Sequence, residues 1–258
     1  MKKLLWSLLA VSFALPVMAE EILQHRSPAH QARDQYRHPQ QTLAFFEVKP
    51  NMTVVEIWPG GKAWYTEILA PLLKDNGKLY AAHFSKDADV AYFTKNLAKF
   101  NEKMQNNPAV YGKVELTTLQ PPKAVNIAPK GTADRVLTFR NVHNWMKHGQ
   151  QQVVFQALYD ALKTGGILGI VEHRLPAGQT QDPKALSGYV SEDVVIKLAE
   201  SVGFKLAGKS EINANSKDTA NYPKGVWSLP PSLKEGEKNK QKYLSIGESD
   251  RMTLKFVK

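Results

Sequence analysis

The chain of 258 residues contains no cysteine. That absence excludes a disulfide frame, thiolate metal ligands and a lipid-anchored cysteine. Acidic residues are also short: 24 Asp and Glu stand against 34 Lys and Arg, a net charge of +10. The surplus base is scattered, with no dense Lys/Arg block interleaved with aromatics, which argues against nucleic acid as a partner. A basic exterior instead meets anionic envelope surfaces or serves solubility. No apolar run is long enough for a comfortable bilayer span. Several catalytic signatures are missing too: there is no G-x-S-x-G elbow, no H-E-x-x-H pair, no Walker-type lysine loop and no internal repeat.

What is present begins with a targeting segment. Lys2 and Lys3 form a basic start, Leu4 to Val17 an apolar stretch, and Val17-Met18-Ala19 a small-residue cleavage site before Glu20. With no twin-arginine pair, export of an unfolded chain to the periplasm or the cell exterior is expected, with cleavage after Ala19. Residues 20–258 then suit a single domain with a full core and no stable membrane insertion.

Residues 52–84 organise that domain. Met52 to Ile57 is an apolar, β-branched run that reads as a buried parallel strand. The chain turns through Trp58-Pro59-Gly60-Gly61, and from Ala63 the recurrence of Trp64, Ile68 and Leu72 every four residues predicts a helix. Asn76-Gly77 is expected to close that helix in the left-handed conformation, and Lys78 to Phe84 is a second apolar strand. A βαβ unit with Glu56 near the end of its first strand and glycines in its turn makes a nucleotide-sized crevice in an open α/β sheet.

Upstream, residues 20–46 form a polar leader, with one helix over Ala29 to Tyr36 and a shorter one from Pro39 ending in Leu43, Phe45 and Phe46. Arg33, Asp34, Arg37 and His38 crowd this leader, which either roofs the crevice or lies as a solvated surface helix. Downstream, helices over 87–106, 150–163 and 191–202 alternate with strands over 111–118, 133–139, 167–171 and 205–213. Residues 214–249, with Tyr222, Trp227 and Pro230-Pro231, predict a long ordered loop before a last strand, Arg251 to Val257. The alternation specifies an α/β, doubly wound sheet. Right-handed crossovers order its first four strands 3-2-1-4 and put the crevice outside the carboxyl ends of strands one and four.

At this point the sequence resembles the class I S-adenosylmethionine-dependent methyltransferases over nearly all of residues 20–258. Glu56 matches the acidic position and Gly60 a central glycine of that family's first motif. Arg140-Asn141-Val142, and Lys-Thr-Gly-Gly-Ile-Leu-Gly-Ile-Val-Glu at 163–172, are similar to runs in the ubiquinone- and menaquinone-biosynthesis methyltransferases. Four further stretches resemble a little-characterised group of exported, predicted methyltransferases: Glu-Ile-Trp-Pro-Gly-Gly at 56–61, Trp-Tyr-Thr-Glu at 64–67, Ala-Ala-His-Phe at 81–84 and Glu-Ser-Asp-Arg-Met at 248–252. The resemblance implies a Rossmann-like seven-stranded sheet with its last strand antiparallel, S-adenosylmethionine as cofactor, and methyl transfer to a small organic molecule, phenolic or quinone-like. Two departures stand out. Trp58-Pro59-Gly60-Gly61-Lys62 replaces Gly-x-Gly-x-Gly, and His83 stands where an acid normally grips both ribose hydroxyls. A neutral His accepts only one hydrogen bond. These departures keep a second reading open, a non-catalytic extracytoplasmic ligand-binding protein on the same fold.

The expected cofactor-binding residues are Glu56, Gly60, Gly61, Tyr65, Thr66 and His83. Glu56, in a buried strand, needs a partner, either ligand and loop amides or Arg33 or Arg37 of the leader. The glycines allow close approach of a ligand or merely a tight turn. Tyr65 and Thr66 stand where they can donate to the methionine carboxylate, with a core role for Tyr65 as the alternative. The expected catalytic residues are Arg140, Asn141 and His143, followed by Asn144, after the fourth strand, where the resemblance places substrate-facing groups. His143 is the candidate general base because its pKa lies near working pH; the other reading is a surface loop histidine. Glu172, His173 and Arg174 end the fifth strand on the same side, and no metal is expected there.

Overall fold

The structure is a computed structural model and describes residues 22–23 and 25–258; the expected targeting segment 1–19 lies outside the described residues. Seven strands form one sheet: β1 Thr53–Ile57, β2 Lys78–His83, β3 Val114–Thr118, β4 Ala133–Phe139, β5 Leu162–His173, β6 Lys205–Ser210 and β7 Arg251–Val257. Their spatial order is β3-β2-β1-β4-β5-β7-β6. Strands β1 to β5 pair in parallel, whereas β7 runs antiparallel to β5 and β6. This is the expected doubly wound α/β sheet, including the 3-2-1-4 start and the reversed last strand.

Helices cover both faces, which is why β1 reads as continuously apolar rather than alternating. Val55 and Ile57 pack with Val136, Leu168, Trp145 and Phe155 on one face. Val54 packs with Leu79, Leu137, Phe46, Ile68 and Leu69 on the other. From residue 28 on, the leader forms the short helices α1 Pro28–Gln31, α2 Asp34–Arg37 and α3 Pro39–Phe45. Then come α4 Thr66–Leu73, α5 Ala91–Asn106, α6 Pro108–Tyr111, α7 Val142–Lys147, α8 Gln151–Ala161, α9 Glu192–Glu200 and α10 Lys240–Ile246. No helix of the described residues is long and apolar enough to cross a membrane.

Local differences from the sequence reading have identifiable causes. The single helix expected over Ala29 to Tyr36 is broken into α1 and α2; segments this short have no helical stability of their own, so side-chain contacts decide them. Helix α4 starts at Thr66 because Gly60 (φ +67°) and Ala63 (φ +50°) prolong the turn. It ends at Leu73, before Gly77, which is not left-handed. A Cβ on Gly77 would meet the Pro50 and Met52 carbonyl oxygens at 2.5 and 2.6 Å, so close backbone approach explains this glycine. The segment from Tyr111 opens with the end of α6, and Leu162 to Gly166, read as helix end, already belongs to β5. The long 214–249 loop is ordered around Tyr222, Val226, Leu229 and Tyr243, which pack on Tyr189.

Candidate active site at the carboxyl ends of the strands

Strand β1 delivers Glu56 to the crevice as a buried side chain. Its Oε2 accepts from Thr66 Oγ1 at 2.6 Å, and among the described residues no group bonds its other oxygen. Neither Arg33 nor Arg37 pairs with it; both turn to Glu248 instead. Burial, only partly offset by the Thr66 hydroxyl, pushes the Glu56 carboxyl up to about 8. The residue lines a recess of about 260 Å³, open at its mouth, together with Arg37, Tyr65, Phe139 and Arg140. Tyr65 stacks on Phe139 with ring centroids 3.5 Å apart, so it forms a wall of the recess. Thr66 has its hydroxyl committed to Glu56.

The raised carboxyl has a measurable consequence. Below about pH 4.5 Glu56 is protonated in both the folded and the unfolded chain, and it changes nothing. Between about 4.5 and 8 only the unfolded chain ionises, so stability falls as pH rises. Glu56→Gln, which keeps an acceptor for Thr66, is therefore expected to match the parent near pH 4 and to exceed it by about 3 kcal/mol at pH 7, from roughly 1.4 kcal/mol per unit. Urea melts at the two pH values check this.

The glycine turn itself is asymmetric. Gly60 leaves open space where a Cβ would stand. Gly61 packs on α5, its N–H donating to Asn96 Oδ1 at 3.0 Å. Between them and β1 stands Trp58, held at φ +45°. Its Nε1–H donates to the Leu119 carbonyl at 2.8 Å. Its ring packs 4.8 Å from Phe84, 6.2 Å from Phe93 and 5.9 Å from Trp145. Phe84 follows β2 and Trp145 lies in α7 after β4, so the indole lies across the ends of β2, β1 and β4, inside the crevice. His83 is fully buried behind the turn. Its Nδ1 accepts from the Phe84 N–H at 2.8 Å, which leaves Nε2 as a donor facing the Gly60 backbone without closing a hydrogen bond. Burial lowers the His83 pKa to about 4, so the ring is neutral.

The second half of the site lies at the ends of β4 and β5. Asn141 Nδ2 donates to the Ile57 carbonyl at 2.9 Å and to Thr138 Oγ1 at 3.1 Å, tying β4 to β1. His143 opens α7 and is buried. The backbone N–H groups of His143 and His173 donate to the two oxygens of Glu172, at 3.3 and 2.8 Å. Both are obligate donors, so Glu172 serves as acceptor, and His143 Nδ1, 3.0 Å from Glu172 Oε1, carries the hydrogen. The lone pair is then on Nε2, as a general base requires. His173 Nδ1 lies 2.5 Å from Ser249 Oγ. His143, Glu172 and His173 lie close enough to hold a metal ion. Three arginines, Arg251, Arg140 and Arg37, act on the same place, however, and with His143 they add to burial in holding His173 well below the usual histidine range. That field opposes a dication. Arg174 points elsewhere, into a network with Asp250, Glu192 and Glu211.

The residues sequence reasoning missed here are Glu248, Ser249 and Arg251. They belong to the quoted Glu-Ser-Asp-Arg-Met stretch, but their partners Arg33, Tyr36 and His173 come from distant parts of the chain, and no local pattern reveals that.

No protein-family model and no curated protein matches this sequence. Solved structures do match in shape. A SAM-dependent methyltransferase from Aquifex aeolicus superposes with a TM-score of 0.56 at 18% identity, over 76% of this chain and 93% of the other. The [4+2]-cyclase SpnF superposes with 0.59 at 12%, over 88% and 82%. Haemonchus contortus phosphoethanolamine N-methyltransferase 2, in complex with S-adenosyl-L-methionine, gives 0.54 at 14%, over 92% and 59%. The fold is the class I methyltransferase fold. A cyclase among the proteins of this fold shows that the fold alone does not fix the chemistry.

One of these solved structures holds S-adenosyl-L-methionine. For the methionine end of such a molecule, Glu56 lines free space beside two guanidinium groups, and Gly60 leaves open space where a Cβ would stand. The nucleoside end does not fit with Trp58 where it stands. The Trp58 indole stands across the strand ends and itself lines the recess, and His83 is fully buried with no open space in front of it.

Proposed function

We propose that the protein is an exported S-adenosylmethionine-dependent methyltransferase acting on a small organic molecule, with the Trp58 indole swinging aside to admit the cofactor. The observation that carries this reading is the Glu172–His143 pair at the ends of β4 and β5, next to the recess that Glu56 lines. The cofactor, when bound, supplies an electrophilic methyl group. The chain's own residues do the rest. Glu172 fixes the His143 ring and places its Nε2 lone pair to take a proton from an acceptor hydroxyl or amine. Tyr65 and Phe139, stacked on each other, line the recess beside an aromatic acceptor, and Trp227 of the 214–249 loop lies 6.0 Å from the His143 ring.

The second reading, ligand binding without methyl transfer, is favoured by the Trp58 indole in the crevice and by the expected export, which takes the chain away from the compartment where the methyl donor is made. Melting the purified protein with S-adenosylmethionine and S-adenosylhomocysteine separates the two. Ligand at a hundred times its dissociation constant adds about 2.7 kcal/mol and raises the melting point. Methyl transfer from labelled donor to an envelope extract is expected from the parent and reduced about 10²-fold or more in His143→Ala. An unmoved melting point together with no transfer leaves only the second reading. Export is checked by fusing residues 1–19 to a reporter that works only outside the cytoplasm; a silent reporter removes it.

A further inference from the structure

The arginines gathered around Glu248 exceed what the protein itself neutralises, and two of the group, Arg37 and Arg140, line the recess. Glu248 is buried and is the one acid that Arg33, Arg37 and Arg251 share among the described residues. Arg33 Nε donates to its Oε1 at 2.5 Å, and Arg251 Nη2 donates to its Oε2. Arg37 Nε reaches Oε2 only at 3.5 Å, without a hydrogen bond. Arg140 forms no side-chain hydrogen bond or ion pair among the described residues, although it stands in the field of Arg251, Glu248 and Arg33. Four guanidinium groups therefore face one carboxylate. Two of them, Arg37 and Arg251, are 4% and 3% exposed, and each has an Nε–H with no acceptor.

Such an arrangement is unfavourable on its own. A buried donor without an acceptor and a buried charge without a counter-charge each weaken the fold. The conflict registers in the groups themselves: burial first, then Arg140, Arg33 and Arg251, hold Arg37 well below the usual arginine range, and burial with Arg251 lowers Arg140 to about 10. Arg37 also lies over the Trp64 ring at 4.5 Å, but a cation–π contact supplies no negative charge. Arg140 is held at φ +63°, a conformation uncommon for a side-chain-bearing residue, which aims its chain over the recess rather than along β4.

We propose that Arg37 and Arg140, which line the recess, form a binding site for an anionic group, a carboxylate or a phosphate, on the small molecule that occupies it. The guanidinium fork matches either group in two-point fashion. Tyr65 and Phe139 line the same open-mouthed recess as Arg37 and Arg140, so the organic body of a ligand held by the guanidinium groups lies beside this stacked aromatic pair. The ligand class is a small aromatic or unsaturated organic acid, or its phosphorylated counterpart. Calling it the methyl acceptor rests on the reading above; the anion site does not. The same carboxylate chemistry is offered by the methionine end of S-adenosylmethionine, and the experiment separates the two sources.

The full chain is melted at fixed ionic strength in sodium chloride, inorganic phosphate, benzoate or choline chloride. Phosphate and benzoate are expected to raise the melting point, and choline chloride to leave it at the sodium chloride value. In Arg140→Met the apparent affinity for phosphate is expected to fall about tenfold or more. Its melting point without the anion is expected to stay level or rise, because like-charge repulsion is relieved. An arginine with a merely structural role gives the opposite pair, a lowered melting point and an unchanged phosphate response, and that result overturns the site. So does a parent protein that ignores both phosphate and benzoate. S-adenosylhomocysteine and methylthioadenosine, which lacks the carboxylate, assign the source. Loss in Arg140→Met of S-adenosylhomocysteine binding alone assigns the site to the cofactor carboxylate; a phosphate response persisting on top of bound S-adenosylhomocysteine assigns it to a second ligand. Failure of methyl transfer leaves these readouts intact.

Discussion

Replacing Trp58 by glycine is expected to increase the affinity for S-adenosylhomocysteine by roughly 10- to 100-fold, because it empties the crevice that the indole fills. The reasoning is a population argument. While the indole packs on Phe84 and Trp145 and donates to the Leu119 carbonyl, the ligand meets a binding-competent state only in the fraction of molecules whose indole has swung out. A preference of about 2 kcal/mol for the packed state keeps that fraction near one in thirty, and the apparent affinity falls by the same factor. The substitution has a cost to folding. A buried Trp→Ala change destabilises by about 3–5 kcal/mol, but Trp58 is only half-buried, and its positive φ carries strain that glycine does not. A net loss of about 2 kcal/mol is expected. Calorimetric titration of both proteins, with melting curves alongside, measures the two effects separately. Equal affinities in parent and variant would show that the indole does not gate the crevice. A ligand-bound structure with Trp58 unmoved would show the same.

The parts of this molecule that were legible in the sequence are those whose information is local. The β1 run could be read from its apolar residues because both sheet faces are covered, and β4 and β7 fall on the expected residues, Ala133–Phe139 and Arg251–Val257. Glycine spacing located the turn, but not what occupies it. A tryptophan at a glycine position signalled a departure without revealing that its ring crosses three strand ends. Its place in an apolar strand marks Glu56 as a buried acid in need of a partner, yet that partner is Thr66, ten residues on, and the leader arginines go to an acid more than 200 residues away. The chemistry of imidazole alone nominates His143. What makes it a plausible base, the Glu172 carboxylate fixed by two backbone amides, depends on the register of β4 against β5 and on the start of α7. Long-range ion pairs are the information a single sequence does not carry.

Glu248→Gln is expected to destabilise the unliganded chain by about 3–5 kcal/mol, since it removes the one negative charge set among buried arginines and leaves their repulsion unopposed. At this chain length that amounts to a melting point lower by about 10 °C. The pH dependence identifies the cause. Burial raises the Glu248 pKa, but Arg251, Arg37 and Arg33 outweigh it and hold the carboxyl far below its ordinary value of 4.5. A depressed carboxyl contributes stability above the unfolded pKa and loses it as pH falls through the folded one. The gap between parent and variant is therefore expected to be constant above about pH 5 and to narrow steadily below about 4.5. Urea melts from neutral pH down to about pH 3 test this; a gap that does not narrow would assign the loss to packing rather than charge. Phosphate adds a second discrimination. If the arginines are poised for an anion, the variant gains more from phosphate than the parent does, because the bound anion then replaces the missing counter-charge. If Glu248 alone balances them, phosphate does not recover the lost stability.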